Sequence, residues 1–245
     1  LLAGLVNSSL VALVGLAATP GYLYLLGIER YGLIGLFISA QALMGLLDMG
    51  LSPTLNREVA RASASGAWSE VRGLLASLGR LYWAVAVVAA VATTVAATWL
   101  ANHWLRPDAL DVGEVTGALA WIGLAVACRW PAGLYASAIN GAQRLTVSSS
   151  LASAYALCSA GGALALMAWV DSNLVLFFVW QTATALAYSL AVRAMAWRIV
   201  GGAGAKPAWS ALRRVWRFSA SMGLIAITSV VFTQLDKVLL SRLLR

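Results

Sequence analysis

Charged residues are scarce in this chain of 245 residues, where they make up 11%, whereas hydrophobic residues make up 61%. So little charge excludes an ordinary soluble globular domain. Histidine occurs once, as His103 in a polar loop, and cysteine twice, as Cys128 and Cys158 inside apolar stretches without metal-ligand spacing. These scarcities argue against a metal site, and we interpret both cysteines as small buried hydrophobic residues.

Long apolar runs are abundant. Each reaches about the 20 residues that an α-helix needs to cross ~30 Å of hydrocarbon. The sequence therefore predicts an all-α, polytopic transmembrane helix bundle. The seven runs cover residues 1–26, 33–55, 74–100, 116–138, 146–169, 174–196 and 218–244.

Positive charges fall in alternate gaps between these runs. The remaining gaps contain only Arg30 and Arg106 as basic residues. The positive-inside rule then predicts a multi-pass protein of the bacterial inner membrane with a cytoplasmic N-terminus. We interpret the net charge of +8 as topology signals that face anionic lipid headgroups, and not as nucleic-acid binding. The basic gaps and adjacent helix ends contain Arg57, Arg61, Arg72, Arg80, Arg129, Arg144, Arg193, Arg198, Lys206, Arg213, Arg214 and Arg217.

The longest gap suggests a domain boundary. It is rich in glycine and continues into a basic amphipathic stretch at 209–217. This composition is typical of a flexible hinge followed by a helix in the inner leaflet, with a solvated loop as the alternative. Because the chain starts and stops within apolar runs, we expect it to be part of a longer protein. The predicted units are a six-helix transmembrane lobe at 1–200, a cytoplasmic inter-lobe linker at 201–217 and the first helix of a second lobe at 218–245.

Polar residues inside the apolar runs are the candidates for function, because a charge near the membrane centre costs ~2.5–3.5 kcal/mol. In the second run, polar or small residues recur at spacings of 4, 3, 4 and 4, which places them on one helical face. We predict that this face lines a water-filled cavity, with a structural hydrogen-bond seam as the alternative. The stripe consists of Gln41, Gly45, Asp48, Ser52 and Asn56, and Arg57 follows it directly.

The fourth run repeats this pattern around Arg129, which lies about four turns deeper than Arg144. Pro131 removes a backbone donor and is predicted to kink the helix toward the cavity. Arg80, about two turns inside the third run, either belongs to the cavity or snorkels to the membrane surface. The stripe continues through Gly133, Ser137, and Asn140 or Gly141.

The seventh run carries Gln234, Asp236 and Lys237 in its middle. Asp236 and Lys237 are adjacent and point about 100° apart, so we expect one of them to meet a partner across the bundle. No nucleophile–base pair, phosphate-binding glycine loop or carboxylate pair is recognisable in the sequence. We therefore do not expect an enzyme.

Three short motifs are shared with a known family. Residues 26–33 read Leu-Gly-Ile-Glu-Arg-Tyr-Gly-Leu, 46–51 read Leu-Leu-Asp-Met-Gly-Leu with Arg-Glu-Val-Ala at 57–60, and 234–240 read Gln-Leu-Asp-Lys-Val-Leu-Leu. With the order of the runs, they resemble the Wzx-type flippases of bacterial polysaccharides (O-antigen). These belong to the multidrug/oligosaccharidyl-lipid/polysaccharide exporter superfamily. The resemblance implies a MATE-like transporter with two six-helix lobes around a cavity, of which this chain supplies the first lobe and helix seven.

The resemblance also implies a function in polysaccharide and lipopolysaccharide biosynthesis. Such a transporter moves undecaprenyl-pyrophosphate-linked oligosaccharide from the cytoplasmic to the periplasmic leaflet. Its expected partners are this substrate, membrane lipids, and the polysaccharide polymerase with other assembly proteins. Arg129 suits the pyrophosphate, because a guanidinium grips phosphate oxygens in pairs. Asp48 or Asp236 would couple transport to H⁺ or Na⁺, by antiport in such a mechanism, and no cofactor is implied. The further cavity residues are Gln41, Ser52, Asn56, Arg57, Arg80, Ser137, Asn140, Gln234 and Lys237.

Three other functions stay open. A MATE-type drug or cation antiporter would favour carboxylates and aromatic residues over arginine in its cavity. A flippase of lipid-linked peptidoglycan precursor would share most of the expected features. A membrane glycosyltransferase or polymerase acting on the same lipid would present acidic or histidine residues in a large periplasmic loop, whereas the largest such gap here is about 101–115.

Overall fold

Helices account for most of the described part of the chain. The computed structural model describes residues 2–105, 111–170 and 173–202, which contain helices and turns but no strand. The prediction of an all-α bundle is thereby confirmed. The helices are α1 (Leu2–Leu46), α2 (Leu51–Ser65), α3 (Trp68–Leu100) with a π-helical turn (Ala101–Leu105), α4 (Val112–Arg129), α5 (Pro131–Gly141), α6 (Leu145–Trp169) and α7 (Leu174–Val200).

The first helix is interrupted at Gly27. Its φ of 78° and ψ of 169° lie in a region of backbone space that essentially only glycine adopts. The interruption divides α1 into a first arm, residues 2–26, and a second arm, residues 28–46. The expected gap at 27–32 is therefore wrong in kind, because one glycine and not a loop separates the first two apolar runs.

The first arm runs parallel to α6. Near its beginning, Asn7 accepts a hydrogen bond from Ser153 Oγ (2.8 Å), close to the beginning of α6. Further along, the Tyr22 hydroxyl donates to the carbonyl oxygen of Ala160 (3.3 Å). Both bonds join one helix to another, which is how polar side chains commonly connect helices inside a membrane.

The second arm runs parallel to α4. It begins with Arg30, which pairs with Glu114 in the first turn of α4. It leads to Gln41, which lines a pocket together with Arg129 at the end of α4. The two arms therefore point in opposite directions if α4 and α6 are antiparallel.

Contacts with α7 show that α4 and α6 are indeed antiparallel. The Thr182 hydroxyl reaches the Trp121 carbonyl oxygen, and further along both helices Ser189 reaches that of Cys128, so α7 runs parallel to α4. The Trp180 indole donates to the Cys158 carbonyl oxygen, whereas Tyr188, later in α7, packs on Tyr155, earlier in α6. The chain thus reverses direction at Gly27.

Five helices are long and apolar enough to cross a membrane within the described residues. The longest would measure ~58 Å if it were straight, about twice the hydrocarbon thickness, but it folds back at Gly27 and supplies two crossings. The described residues therefore offer six candidate crossings, and the protein is a multi-pass membrane protein. The five helices are Asn7–Gly45, Trp68–His103, Val112–Gly141, Leu145–Trp169 and Leu174–Val200.

The bundle has two chemically different ends. One end, which we call the basic end, is formed by α2, the beginnings of α3 and α6, and the ends of α5 and α7; Arg57, Arg61 and Arg144 lie there. The other end, the acidic end, contains Gly27 and the beginnings of α4 and α7. Glu29, Asp111 and Glu114 lie at the acidic end, with Arg30 as its basic residue among those described.

The second apolar run is not one helix, and the prediction of a continuous helix at 33–55 is wrong. The second arm ends at Leu46, and a turn follows in which Met49 has φ 45° and Gly50 has φ 74°. A glycine in the left-handed conformation is a common helix terminator, but the apolar residues on both sides concealed it in the sequence. The predicted stripe is therefore divided between two helices, with Asp48 in the turn.

Two expectations concern α4 to α6. The fourth run is divided at Pro131, because α4 ends at Arg129 and α5 begins at the proline, but Trp130 between them keeps helical angles, so the kink toward the cavity stays a prediction. The interpretation of both cysteines as buried is wrong for Cys158, which is exposed, while Cys128 is partly buried. Cys158 lies on the outer face of α6, where a cysteine can contact lipid as a small apolar residue.

Candidate functional site

A polar pocket lies between the second arm and the junction of α4 and α5. Its volume is about 210 Å³, and a water molecule in the liquid occupies about 30 Å³, so the pocket has room for several waters or for an oxyanion group. We call it the arginine pocket. It is lined by Gln41, Met44 and Gly45 from the second arm and by Val126, Arg129, Trp130 and Gly133 from the junction.

The junction itself is shaped by Pro131. Trp130 keeps helical angles (φ −60°, ψ −44°), so the direction of the chain is maintained. Proline has no N–H, however, so it cannot donate to the carbonyl oxygen four residues earlier, that of Ala127. Together with Gly133, which adds no side chain, this gap exposes backbone and space beside Arg129.

Arg129 rests over two tyrosine rings. Its Cζ lies 4.7 Å from the ring centroid of Tyr155 on α6 and 4.6 Å from that of Tyr188 on α7. The two rings also pack on each other, with centroids 4.8 Å apart. Cation–π attraction to each ring contributes about 0.5–2 kcal/mol, so the aromatic pair holds the guanidinium in place.

The hydrogen-bonding capacity of Arg129 is not used by the described residues. Its Nε is buried without a hydrogen-bond partner, and no carboxylate among residues 2–105, 111–170 and 173–202 lies within ion-pair distance. Arg129 lies fifteen residues after Glu114 of the acidic end, which corresponds to ~22 Å along a helix. Arg129 is thus a cation deep in its span, and its Nε–H is a donor that no described residue uses.

Asp48 is the predicted coupling carboxylate among the described residues, and its oxygens are well supplied with hydrogen bonds. It accepts hydrogen bonds from the hydroxyl of Tyr82 on α3 and from the hydroxyl and backbone N–H of Ser52. The Tyr82 ring stacks on Trp130, with centroids 4.4 Å apart and planes 14° apart. Asp48 is therefore linked to the wall of the arginine pocket through Tyr82 and Trp130.

The remaining predicted residues do not converge on one place. Ser137 donates within its own helix, to the carbonyl oxygen of Leu134 (2.7 Å), and Asn140 has a buried Oδ1 without a partner among the described residues. Arg80 is exposed on α3, as the snorkelling alternative expects. Asn56 lies on α2, partly buried, and its carbonyl oxygen is close to Gly141. Gln234, Asp236 and Lys237 lie outside the described residues.

Glu58 on α2 is a feature that the sequence analysis missed. It is buried, with 7% of the residue exposed, and pairs with Arg57 Nη2 (3.0 Å) and with Arg61. Arg57 thus pairs with a carboxylate of its own helix, and it is not among the residues that line the arginine pocket. The i, i+3 spacing of Glu58 and Arg61 was the available signal.

The tyrosines beneath Arg129 were missed as well. Tyr155 and Tyr188 are the single tyrosines of their apolar runs and lie 33 positions apart, so no spacing pattern connects them. Comparisons with family models, with curated proteins and with solved structures return no match to this chain. Its function is therefore argued from its own residues.

Proposed function

We propose that this chain forms the first lobe of a flippase that moves polyprenyl-pyrophosphate-linked oligosaccharide from the cytoplasmic to the periplasmic leaflet of the bacterial inner membrane. The process would be alternating access coupled to a proton or sodium gradient, and it would serve polysaccharide biosynthesis. This proposal depends on one observation: no described carboxylate neutralises Arg129, a cation inside the membrane.

An anionic ligand would satisfy what the protein leaves unsatisfied at Arg129. The two tyrosines attract the cation but accept no N–H bond through their faces in the way that an oxygen does. Phosphate oxygens would take the free donors in the bidentate geometry that guanidinium favours. Gln41, in the same pocket, supplies an amide for hydroxyl groups of a sugar.

The same observation disfavours a drug or cation antiporter. A pocket for an organic cation needs negative charge or exposed aromatic faces, whereas here the described pocket wall carries a positive charge and no carboxylate. Of the aromatic rings near it, those of Tyr155 and Tyr188 are covered by Arg129, and that of Trp130, in the pocket wall, is stacked on Tyr82. A flippase of peptidoglycan precursor differs from our proposal only in the group that is attached to the lipid pyrophosphate.

The basic end supports an orientation for this lobe. Lys and Arg favour the cytoplasmic side of a membrane, so we place the basic end, and with it the N-terminus, in the cytoplasm. The test is single-cysteine labelling after Cys128 and Cys158 are replaced by alanine. A membrane-impermeant thiol reagent should label Ser65→Cys, at the exposed end of α2, only after the inner membrane is opened, and Asp111→Cys in intact spheroplasts; reversed labelling contradicts the orientation.

The test of the proposed function is complementation of a flippase-null strain with the full-length protein. Arg129→Ala should abolish surface polysaccharide, and Arg129→Lys should restore only part of it, because a point charge replaces a bidentate fork. The matched control is Arg198→Ala, which removes an exposed arginine of the basic end and should complement fully. Equal membrane levels of the variants are verified by immunoblotting. Full complementation by Arg129→Ala would reject the proposal for this site.

Asp48→Asn tests the coupling role separately. This substitution preserves the shape of the side chain but removes its charge and its capacity to bind a proton or cation as a carboxylate. In proteoliposomes, a coupling residue should lose gradient-driven transport of the lipid-linked oligosaccharide and retain substrate binding. Transport that still follows the imposed proton or sodium gradient would exclude Asp48 from coupling.

A further inference from the structure

A second cavity adjoins the arginine pocket. It is a groove of about 170 Å³ with α4 as its floor and the second arm and α3 as its walls. The two walls scarcely contact each other, so the groove is open between them. We call it the apolar groove. The residues that matter below are Ala40 and Met44 on the second arm, Ala89 and Thr93 on α3, and Gly123 and Val126 on α4.

The apolar groove offers almost nothing to a polar ligand. Its lining is aliphatic except for Thr93. The Thr93 hydroxyl shares its one proton between the carbonyl oxygens of Ala89 (2.8 Å) and Ala90 (3.0 Å) within its own helix, so it has no donor left for a ligand. An apolar cavity of this kind stays dry and binds hydrocarbon.

The groove and the arginine pocket are adjacent. Met44 and Val126 line both cavities. From Arg129 the groove leads toward the acidic end, since its other residues on the second arm precede Met44 and those on α4 precede Val126. A lipid of the leaflet at the basic end has this polarity, with its headgroup toward that end and its tail toward the membrane centre.

The size of the groove limits what it takes. A cavity of about 150 Å³ lined by aliphatic residues holds one benzene molecule, so 170 Å³ corresponds to one five-carbon branched unit. A straight alkyl chain would leave part of this width unfilled and would forfeit the contacts there. The small side chains of Ala40 and Ala89 create the width, whereas Gly123 lets Thr93 pack closely against α4.

The geometry points to the apolar groove as the binding site for the first isoprene unit of the substrate's tail, the unit attached directly to the pyrophosphate at Arg129. This inference rests on the proposed function and adds a tail-recognition site to it. The rest of the tail lies in the bilayer, because the groove holds no more than one unit. Recognition of the lipid by this lobe then depends on both the charge and the branching next to it.

The experiment compares two ligands on full-length protein in nanodiscs. The probes are farnesyl pyrophosphate and a straight-chain alkyl pyrophosphate of equal carbon number, with inorganic pyrophosphate as the tail-free reference. Ala40→Leu fills the groove, and Ala89→Leu fills it from the opposite wall. Ala42→Leu is the matched control, since Ala42 is exposed on the same arm, two residues from Ala40, and does not line the groove.

We expect the wild-type protein to bind farnesyl pyrophosphate more tightly than the straight-chain probe. Ala40→Leu and Ala89→Leu should weaken farnesyl pyrophosphate about tenfold and leave inorganic pyrophosphate unchanged, and Ala42→Leu should match wild type. Equal effects of Ala40→Leu and Ala42→Leu, or equal binding of branched and straight probes, would overturn the inference. Failure of the proposed function would look different, because Arg129→Ala would then bind all three probes normally.

Discussion

Two arginines of this bundle, Arg30 and Arg129, have opposite surroundings. Arg30 at the acidic end forms an ion pair with Glu114: its Nη2 donates to Oε2 (3.1 Å), and its Nε lies 2.9 Å from Oε1, although without hydrogen-bond geometry. Arg129 lies deeper, over two neutral rings, with a buried Nε that no described group accepts. The first charge is neutralised by a described carboxylate, and the second is held by two aromatic rings without a carboxylate partner among the described residues.

The difference separates an arginine that is paired within the described chain from one for which we propose a function. Arg30 joins the beginning of the second arm to the beginning of α4, where Asp111 also caps the helix by accepting from the N–H groups of Gly113 and Glu114. The charge of Arg30 is therefore paired within the described chain. Arg129 contributes a charge that costs insertion energy and gains only partial compensation from Tyr155 and Tyr188.

The largest effect is expected when Arg129 is given a carboxylate partner like that of Arg30. Gln41→Glu places a carboxylate in the arginine pocket, so it should pair with the guanidinium and compete with the substrate. We expect at least a hundredfold loss of flipping in proteoliposomes, with unchanged or increased thermal stability. Gln41→Met is the control of similar size without charge, and it should lose much less. Equal losses for both variants would show that the amide, and not the free cation, matters.

Removing the aromatic support should have an intermediate effect. Tyr155→Leu and Tyr188→Leu delete the faces on which Arg129 rests, and each cation–π contact contributes about 0.5–2 kcal/mol. Binding of inorganic pyrophosphate should weaken roughly tenfold for either variant. Tyr155→Phe and Tyr188→Phe retain the rings and should bind nearly as wild type does. Affinity that follows the hydroxyl groups instead would contradict the cation–π account.

For Arg30 the expected loss is one of stability alone. Arg30→Glu should lower the free energy of unfolding by about 1 kcal/mol, the upper range for an ion pair that is partly exposed. The swap Arg30→Glu with Glu114→Arg should restore much of it, since the pair is rebuilt in reverse. The measurement is thermal unfolding in detergent together with transport. A transport defect in the stable double variant would assign Arg30 a function beyond pairing.

The smallest effect is expected at the basic end. Arg72 donates to the carbonyl oxygen of Gly201 over 3.3 Å, in an exposed position. Such a contact competes with water, so Arg72→Ala should change the melting temperature and the transport rate very little. A large loss of transport would indicate that this end binds substrate as Arg129 does.

The sequence predicted the crossings better than it predicted the site. Apolar runs and alternating charges were sufficient for the six crossings and for the partition between the two ends, because length and composition decide membrane insertion. The break at 47–50 was hidden, since Leu47 and Leu51 continue the apolar character across a turn that depends on Gly50. Because the second arm ends before this turn, Ser52 and Asn56 lie on α2.

At the site itself, the sequence predicted the charges and missed their neighbours. Arg129 and Gln41 were expected in one cavity, and the structure brings them together in the arginine pocket. The partners of Arg129 come from helices far along the chain, so they depend on packing and leave no local pattern. Arg57 is the opposite case, because its partner Glu58 is the next residue in the sequence.

The position of Arg129 also bears on how the chain is made. The span that carries it, Val112–Gly141, is the least apolar of the five, and the translocon receives it before α6 and α7 have been synthesised. Arg129 therefore enters the membrane without the rings of Tyr155 and Tyr188, with only the arms of α1 and α3 already in place. A nascent chain that stops before α6 should hold this span poorly, so assembly of the lobe is a sequential process in which later helices secure an earlier one.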